Sequence, residues 1–137
     1  MPASKILILG GTAEAAKLAS AFSPLPVESI TSLAGRTATP TAISGKIRTG
    51  GFGGADGLAA YLVNDEIDLL IDATHPYATR ISQNAVQASE ITNIPLLRLE
   101  RPAWEKESGD NWINVVSEEQ AASLILADER VLLALGR

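Results

Sequence analysis

Cysteine is absent from this chain of 137 residues, and histidine occurs once, at His75. Without cysteine the chain can form no disulfide, no thiolate nucleophile and no cysteine-based zinc site. A single histidine also excludes a metal site built from several imidazoles. Aromatic residues make up only 4% of the chain, which suits a core packed from alanine and leucine. We therefore predict that the protein holds no metal ion.

Positive charge is also scarce. The formal net charge is −5, which argues against general binding to nucleic acids or to anionic membranes, although local basic groups can still hold a small anion. The first apolar run begins after Lys5 and is too short for a signal peptide or a membrane span. We expect a cytoplasmic protein, and the length fits one domain with a proper core.

A strand, a pair of glycines and a helix follow one another near the start of the chain. Residues 6–9 are branched aliphatic residues, typical of a strand buried on both faces. After Gly10 and Gly11, apolar residues recur at helical spacing, and Thr12 is suited to cap that helix. Such a turn directs backbone N–H groups and the helix dipole at an anion, usually a phosphate in open α/β folds. Because the pattern G-x-G-x-x-G is incomplete, a plain turn is the alternative.

The rest of the chain alternates between apolar runs and segments with helical spacing. This alternation predicts an α/β fold, with a Rossmann-like open, mostly parallel sheet and helices on both faces. The further strands are predicted at 27–34, 67–72, 94–99 and 131–136, and the helices are predicted to begin after caps at 12, 56, 75 and 117. Residues 38–44 are predicted to be a connector.

The second predicted strand is followed by Gly35, Arg36 and Thr37. In dinucleotide-binding folds this position meets the adenosine ribose. An acid is typical there of NAD sites, and an arginine that binds the 2′-phosphate is typical of NADP sites. The acid is missing and Arg36 is present, which favours NADP. The alternative is a solvated loop arginine.

Four glycines surround one phenylalanine in the segment Gly50-Gly51-Phe52-Gly53-Gly54. A loop of this composition lets the backbone approach a ligand closely. A lone aromatic residue gains little inside a mobile loop, so Phe52 favours a ligand wall over the alternative, a flexible surface loop.

The strand that ends at Asp72 runs into Thr74, His75 and Pro76. Proline suits the first turn of a helix and keeps the preceding residue extended, so we predict that His75 is the N-cap. Thr74 and His75 would then lie at the carboxyl end of a parallel strand, where open sheets bind ligands. We place both against a cofactor or substrate, with a purely structural histidine as the alternative.

Arg98 and Arg101 lie at the carboxyl end of a further predicted strand. They are candidates for binding substrate carboxylates, and surface solvation is the equal alternative. Residues 131–136 repeat the opening pattern of an aliphatic run followed by glycine, which predicts the start of a further α/β half.

Four segments, L-G-G-T-A-E, A-G-R-T, R-T-G-G-F-G-G and D-A-T-H-P-Y-A, resemble in this order the precorrin-6A reductase family, which has the cobalt-precorrin-6A reductases as close relatives. The resemblance runs from Lys5 to Trp104 and implies NADPH-dependent reduction of a ring double bond of the tetrapyrrole precorrin-6A, giving precorrin-6B in cobalamin biosynthesis. Family members are longer, and their second half completes the macrocycle cleft. We therefore interpret residues 1–129 as an NADP-binding domain and residues 130–137 as the first strand of a second half that the chain lacks.

The resemblance also implies roles for individual residues. Those expected at NADPH lie in the turns after predicted strands: Gly10, Gly11, Thr12, Gly35, Arg36, Thr37, Gly51, Phe52, Gly53, Thr74 and His75. Those expected at the substrate are polar or basic: His75, Tyr77, Arg80, Arg98 and Arg101. The catalytic group stays unassigned, with His75 as the single candidate.

Two other functions stay open. One is a different NADP-dependent reductase or epimerase, although the Tyr-x-x-x-Lys pair of short-chain dehydrogenases is absent. The other is a non-catalytic nucleotide-sensing domain, whose usual three glycines and acid after the second strand are both missing.

Overall fold

The computed structural model describes residues 3–35 and 42–133. It divides the chain into two compact units, Met1–Pro102 and Ala103–Arg137. Among its described residues the first unit holds five strands and three helices, in the order β1 (Ser4–Leu9), α1 (Ala13–Phe22), β2 (Val27–Leu33), β3 (Lys46–Thr49), α2 (Gly54–Asn64), β4 (Leu69–Asp72), α3 (Thr79–Thr92) and β5 (Leu96–Arg98). The second unit holds α4 (Glu118–Ser123).

The five strands form one sheet in the order β3-β2-β1-β4-β5. Every neighbouring pair is parallel, and Leu7 in the central strand is paired with Ile30 on one side and Leu70 on the other. The chain builds outward from β1 to β3 and then crosses to the opposite side of β1. An open sheet with this reversal has its ligand crevice at the carboxyl ends of the strands beside the reversal. The predicted open parallel α/β fold is confirmed.

Both faces of the sheet are covered. Alternate residues of β1 enter two separate hydrophobic clusters, because successive side chains of a strand point to opposite faces. Leu7 and Leu9 pack with α2 and α3, whereas Ile6 and Ile8 pack with α1. The helices contribute small side chains with almost no exposed surface: Ala15, Ala19, Ala85 and Ala88. These alanines let the helix backbones lie close to the sheet.

One strand, β3, was not predicted. It pairs with β2 at the edge of the sheet, with Lys46 opposite Ile30 and Thr49 opposite Leu33. Three of its four residues are exposed, so its sequence carries no apolar run that would indicate a strand. An edge strand with basic side chains is a common feature of open sheets.

Two helix starts differ from the prediction. Helix α3 begins at Thr79 rather than after His75, because the amide of Ala78 donates to the carbonyl oxygen of His75 at 2.8 Å and closes a turn there. Helix α2 begins at Gly54 rather than after Asp56. Its N-cap is Gly53, in a left-handed conformation that suits glycine. The caps predicted at Thr12 and Ser117 are confirmed.

The strand predicted from Val131 is not present in the part of it that is described. Residues 131–133 are exposed and have no regular secondary structure, since they pair with no strand of the described chain. The other residues of that predicted strand lie outside the described ranges, so the division at residue 130 stays a prediction. Within residues 3–35 and 42–133, no helix is long and apolar enough to cross a membrane.

Candidate functional site

A cavity of about 590 Å³ lies at the carboxyl edge of the sheet in the first unit. Its wall comes from the ends of β1, β2 and β4, from the loop after β3 and from the start of α3. The lining residues are Leu9, Gly10, Gly11, Ser32, Leu33, Ala34, Gly50, Gly51, Phe52, Thr74, His75, Tyr77, Ala78, Thr79, Arg80, Ile81 and Asn84. The structure therefore brings eight of the predicted site residues together, from three separate segments of the sequence.

The two glycines of the first turn have different tasks. A side chain at Gly10 would put its Cβ 2.7 Å from the Cγ2 of Thr31, so this glycine lets the turn pack against β2. The amide of Gly10 also donates to the carbonyl oxygen of Ser32 at 2.9 Å. Gly11 has φ +105°, which favours glycine, and no atom lies within 4 Å of its would-be Cβ. Gly11 therefore exposes bare backbone to the cavity at the start of α1.

Thr12 holds the turn and does not line the described cavity. Its Oγ1 accepts from the amide of Ala15 at 3.1 Å, which caps α1. The same hydroxyl donates to the carbonyl oxygen of Ala73 at 2.6 Å. One threonine thus ties the start of α1 to the end of β4. The first amides of a helix have no partner inside it, and those of α1 come shortly after Gly11, which lines the cavity.

A buried carboxylate supports the opposite wall. Asp72 is 1% exposed at the end of β4. Its Oδ1 accepts from the amide and the hydroxyl of Thr74, at 3.1 and 2.6 Å, and its Oδ2 accepts from Arg98. Burial alone would raise the pKa of Asp72, but the hydrogen bonds from Ser82 and Thr74, with the positive charge of Arg98, outweigh it and lower the pKa. The ionised carboxylate therefore fixes Thr74, which lines the cavity.

His75 and Tyr77 form an exposed rim beside this wall. The Nδ1 atom of His75 accepts from the amide of Tyr77 at 3.2 Å, and the two ring centroids are 5.1 Å apart. A neutral histidine with an acceptor at Nδ1 carries its proton on Nε2. The Nε2–H group is thus a hydrogen-bond donor at the cavity rim. Arg80 follows in the first turn of α3 and is also exposed.

Arg98 and Arg101 do not line the described cavity. Arg98 donates to Asp72, to Ser82 and, at 3.4 Å, to Glu100. Arg101 forms an ion pair with Glu14 in the first turn of α1, with its Nη2 2.9 Å from Oε1. Both guanidinium groups are thus used by carboxylates of this unit. Sequence reasoning missed these pairs because the partners are 26 and 87 positions away along the chain.

The other predicted site residues are placed differently. Gly35 has φ +79° and Gly53 has φ +86°, and neither lines the described cavity. Arg36 and Thr37, the predicted contacts of a 2′-phosphate, lie outside the described residues. In the described part of the chain, no cluster of three or more acidic or histidine residues is placed to hold a metal ion.

One residue at the site was not predicted. Arg48 precedes the glycine-rich loop and its guanidinium carbon lies 3.8 Å from the ring centroid of Phe52. Its position two residues before the glycine run, in the segment R-T-G-G-F-G-G, was a sequence signal that could have indicated it.

The cavity can thus receive an elongated ligand with anionic groups. Backbone of the β1–α1 turn lies on one side, apolar atoms of Leu9, Leu33 and Phe52 line the wall, and polar groups of α3 form the rim. Ligand pockets are typically apolar with a few fixed polar groups.

A family model described as "Precorrin-6x reductase CbiJ/CobK" matches residues 5–137. The chain is 49% identical to a precorrin-6A reductase of Sinorhizobium sp over 140 positions, which covers 100% of this chain and 53% of the relative. It is 44% identical to the precorrin-6A reductase of Rhodococcus erythropolis, over 98% of this chain and 55% of the relative. The chain spans about half the length of these curated relatives.

A solved structure, described as CobK precorrin-6A reductase, is similar to this chain. The TM-score is 0.83 at 40% sequence identity, and the match covers 90% of this chain and 49% of the other.

Proposed function

The chain belongs to the precorrin-6x reductase CbiJ/CobK family, and we propose that it binds NADPH for the reduction of precorrin-6A to precorrin-6B in cobalamin biosynthesis. The observation that carries the proposal is the cavity at the strand reversal, which has the open turn of Gly11 at the N-terminus of α1. This is the position at which open α/β sheets hold the pyrophosphate of a dinucleotide.

The residues present fit such a cofactor. Would-be Cβ atoms at Gly11 and Gly51 meet nothing within 4 Å, so glycine at both positions leaves space that a ligand can fill. At Gly11 the space lies above the positive end of α1, which favours a phosphate. At Gly51 the space lies beside Phe52, an aromatic ring suited to a flat heterocycle.

The proposed cofactor contacts follow from this placement. Gly10 and Gly11 would receive the pyrophosphate, and the loop of Gly51 and Phe52 would line the adenosine side. Arg36 is proposed to bind the 2′-phosphate, on the sequence argument that an arginine and no acid follows the second strand. This last contact is what makes the cofactor NADPH rather than NADH.

The chemistry of the reaction comes from the cofactor, which supplies a hydride to one carbon of a ring double bond while the neighbouring carbon takes a proton. The protein has to hold the macrocycle against it. Thr74 is fixed at the end of β4, and His75, Tyr77 and Arg80 lie exposed at the rim. We assign the substrate carboxylates to Arg80 and to the Nε2–H group of His75. Arg98 and Arg101 are left out of this assignment because carboxylates of the same unit already hold them.

The test is calorimetric titration of the chain with NADPH and with NADH. We expect NADPH to bind at least about tenfold more tightly, since a charge-assisted phosphate contact contributes more than a neutral one. Arg36→Ala should remove this preference and leave NADH binding unchanged. Lys106→Ala, which removes an exposed positive charge from the second unit, is the matched control.

Turnover separates the proposal from its alternatives. The turnover assay uses a protein in which this chain is followed by the second half found in the curated relatives. Oxidation of NADPH that depends on added precorrin-6A would support a reductase. Tight NADPH binding without turnover of precorrin-6A would indicate another NADP-dependent enzyme or a nucleotide-sensing domain. Failure of the folded chain and of the longer form to bind either nucleotide would contradict the cofactor assignment.

A further inference from the structure

The glycine-rich loop, residues 50–54, packs its backbone against α2 at Phe52, but its four glycines bring no side chains that could hold its shape. Gly50, Gly53 and Gly54 have φ values of +109°, +86° and +83°. No atom lies within 4 Å of a would-be Cβ at these glycines. Glycine loses more conformational freedom on folding than any other residue. A loop that forms a cavity wall therefore needs contacts from outside itself.

Arg48 supplies such contacts to the loop backbone. Its Nη1 donates to the carbonyl oxygen of Gly50 at 3.0 Å, and its Nη2 donates to that of Gly51 at 3.2 Å. The Nη1 atom also donates to the hydroxyl of Ser32 at 3.0 Å. One planar guanidinium thus joins two consecutive loop carbonyls to the end of β2.

The same group holds the only side chain of the loop. The guanidinium carbon lies 3.8 Å from the ring centroid of Phe52 and 5.0 Å from that of Tyr61 in α2. The two rings meet edge to face, with centroids 5.3 Å apart. Phe52 is therefore fixed between β3 and α2 by contacts on its face and its edge.

We propose that Arg48 is a positioning residue that holds the glycine-rich loop in its ligand-binding shape, through the planar geometry of its guanidinium group and not through its charge. Arg48 does not itself line the described cavity, whereas Gly50, Gly51 and Phe52 do. Arg48 thus acts on the ligand only through the loop. The ligand part of this inference rests on the proposed function, because the ligand is taken to be NADPH.

Lysine provides the discriminating variant. Arg48→Lys keeps the positive charge, but an ammonium group cannot donate to two carbonyls and lie flat on an aromatic ring at the same time. Arg48→Ala removes charge and geometry together. Lys46→Ala is the matched control, because Lys46 is on the same strand and bonds only Glu28, at 2.7 Å, among the described residues.

The loop is measured first without any ligand, by ¹⁵N relaxation of the full chain. We expect the order parameters of the Gly51, Phe52 and Gly53 amides to fall from about 0.85 to below about 0.6 in both Arg48 variants, and to stay unchanged in Lys46→Ala. The amides of β1 should be unaffected in Arg48→Lys, which shows that the sheet is intact. If Arg48→Ala does not fold, the lysine variant still decides the question.

NADPH affinity is then measured on the same samples. We expect the NADPH affinity of both Arg48 variants to fall by about tenfold or more, because part of the binding free energy is then spent on ordering the loop. An Arg48→Lys chain with wild-type loop order would refute positioning by geometry. Lowered order parameters of the loop amides with unchanged NADPH affinity would refute the link to the ligand. If the wild-type chain binds no nucleotide, the proposed function fails, while the relaxation data still decide what Arg48 does.

Discussion

The substitution Gly57→Ala tests whether the glycine-rich loop packs closely on α2. We expect it to lower the free energy of unfolding, which is unusual for a glycine-to-alanine change within a helix. Gly57 lies inside α2, where glycine is a poor helix former. Replacing glycine by alanine within a helix normally stabilises a protein by about 1 kcal/mol. Here we expect a loss of stability instead, because of what lies beside the helix.

The magnitude follows from one contact. A Cβ at Gly57 would lie 1.8 Å from the carbonyl oxygen of Phe52, whereas real Cβ atoms essentially never approach closer than 3.0 Å. The loop backbone would have to move by about 1.2 Å, the difference between these distances. Displacements of this kind in packed regions cost about 1 to 3 kcal/mol, so the net change is a loss of up to about 2 kcal/mol.

Urea unfolding of two variants measures this difference. Ala60→Gly, at an exposed position of the same helix, reports the intrinsic preference and should cost about 1 kcal/mol. Gly57→Ala should also lose stability, and it should weaken NADPH binding because Phe52 is displaced from the cavity wall. A Gly57→Ala chain that is about 1 kcal/mol more stable than wild type would refute the close packing of the loop on α2.

Three further predictions concern residues that support the site. Thr31 is fully buried and its hydroxyl has no hydrogen-bond partner among the described residues, so Thr31→Val should raise the urea midpoint, and a loss above about 1 kcal/mol would contradict this. Folding lowers the pKa of Asp72, so the ionised carboxylate stabilises the fold fully above its ordinary pKa of 3.8, and this stabilisation is lost as the pH falls through the folded pKa. The free energy of unfolding of Asp72→Asn should therefore fall less steeply with decreasing pH in that range than that of the wild type. Thr12→Ala should cost about 1 kcal/mol in thermal or urea unfolding through loss of the α1 cap, and Thr12→Ser should restore most of it.

The parts of the fold that the sequence predicts are those with continuous apolar runs. A strand buried on both faces, such as residues 6–9, must be apolar at every position, and this pattern is local. The edge strand β3 is mostly exposed and has no such pattern, so only its pairing with β2 reveals it. The predicted start of α3 was wrong because a backbone contact, which the sequence does not show, decides it. Proline is tolerated in a first helical turn, but the turn closed by His75 and Ala78 occupies that position.

In the candidate site, too, some features could be predicted from the sequence and others could not. Glycines after strands could be predicted, because the strand ends meet at one edge of the sheet and Gly10, Gly11 and Gly51 therefore converge. The hydrogen-bond and ion-pair partners of the arginines could not be predicted, because a guanidinium group pairs with whatever acceptor the folded chain places beside it. The segment R-T-G-G-F-G-G places Arg48 close to the loop, but its bonds to the carbonyl oxygens of Gly50 and Gly51 follow only from the folded structure.

Arg98 and Arg101, which the sequence predicts to bind substrate, form ion pairs with the carboxylates of Asp72 and Glu14. Asp72 lies at the end of β4 and Glu14 lies in the first turn of α1, so both place negative charge next to segments that line the cavity. Their pairing with Arg98 and Arg101 removes much of that repulsion. The Glu14 carboxylate accepts a bond from its own backbone amide and from Arg101, and these contacts lower its pKa. Glu14 thus occupies one amide in the first turn of α1, and Arg101 offsets its charge. The two ion pairs therefore lower the repulsion that an anion would meet at the proposed site, without touching the ligand.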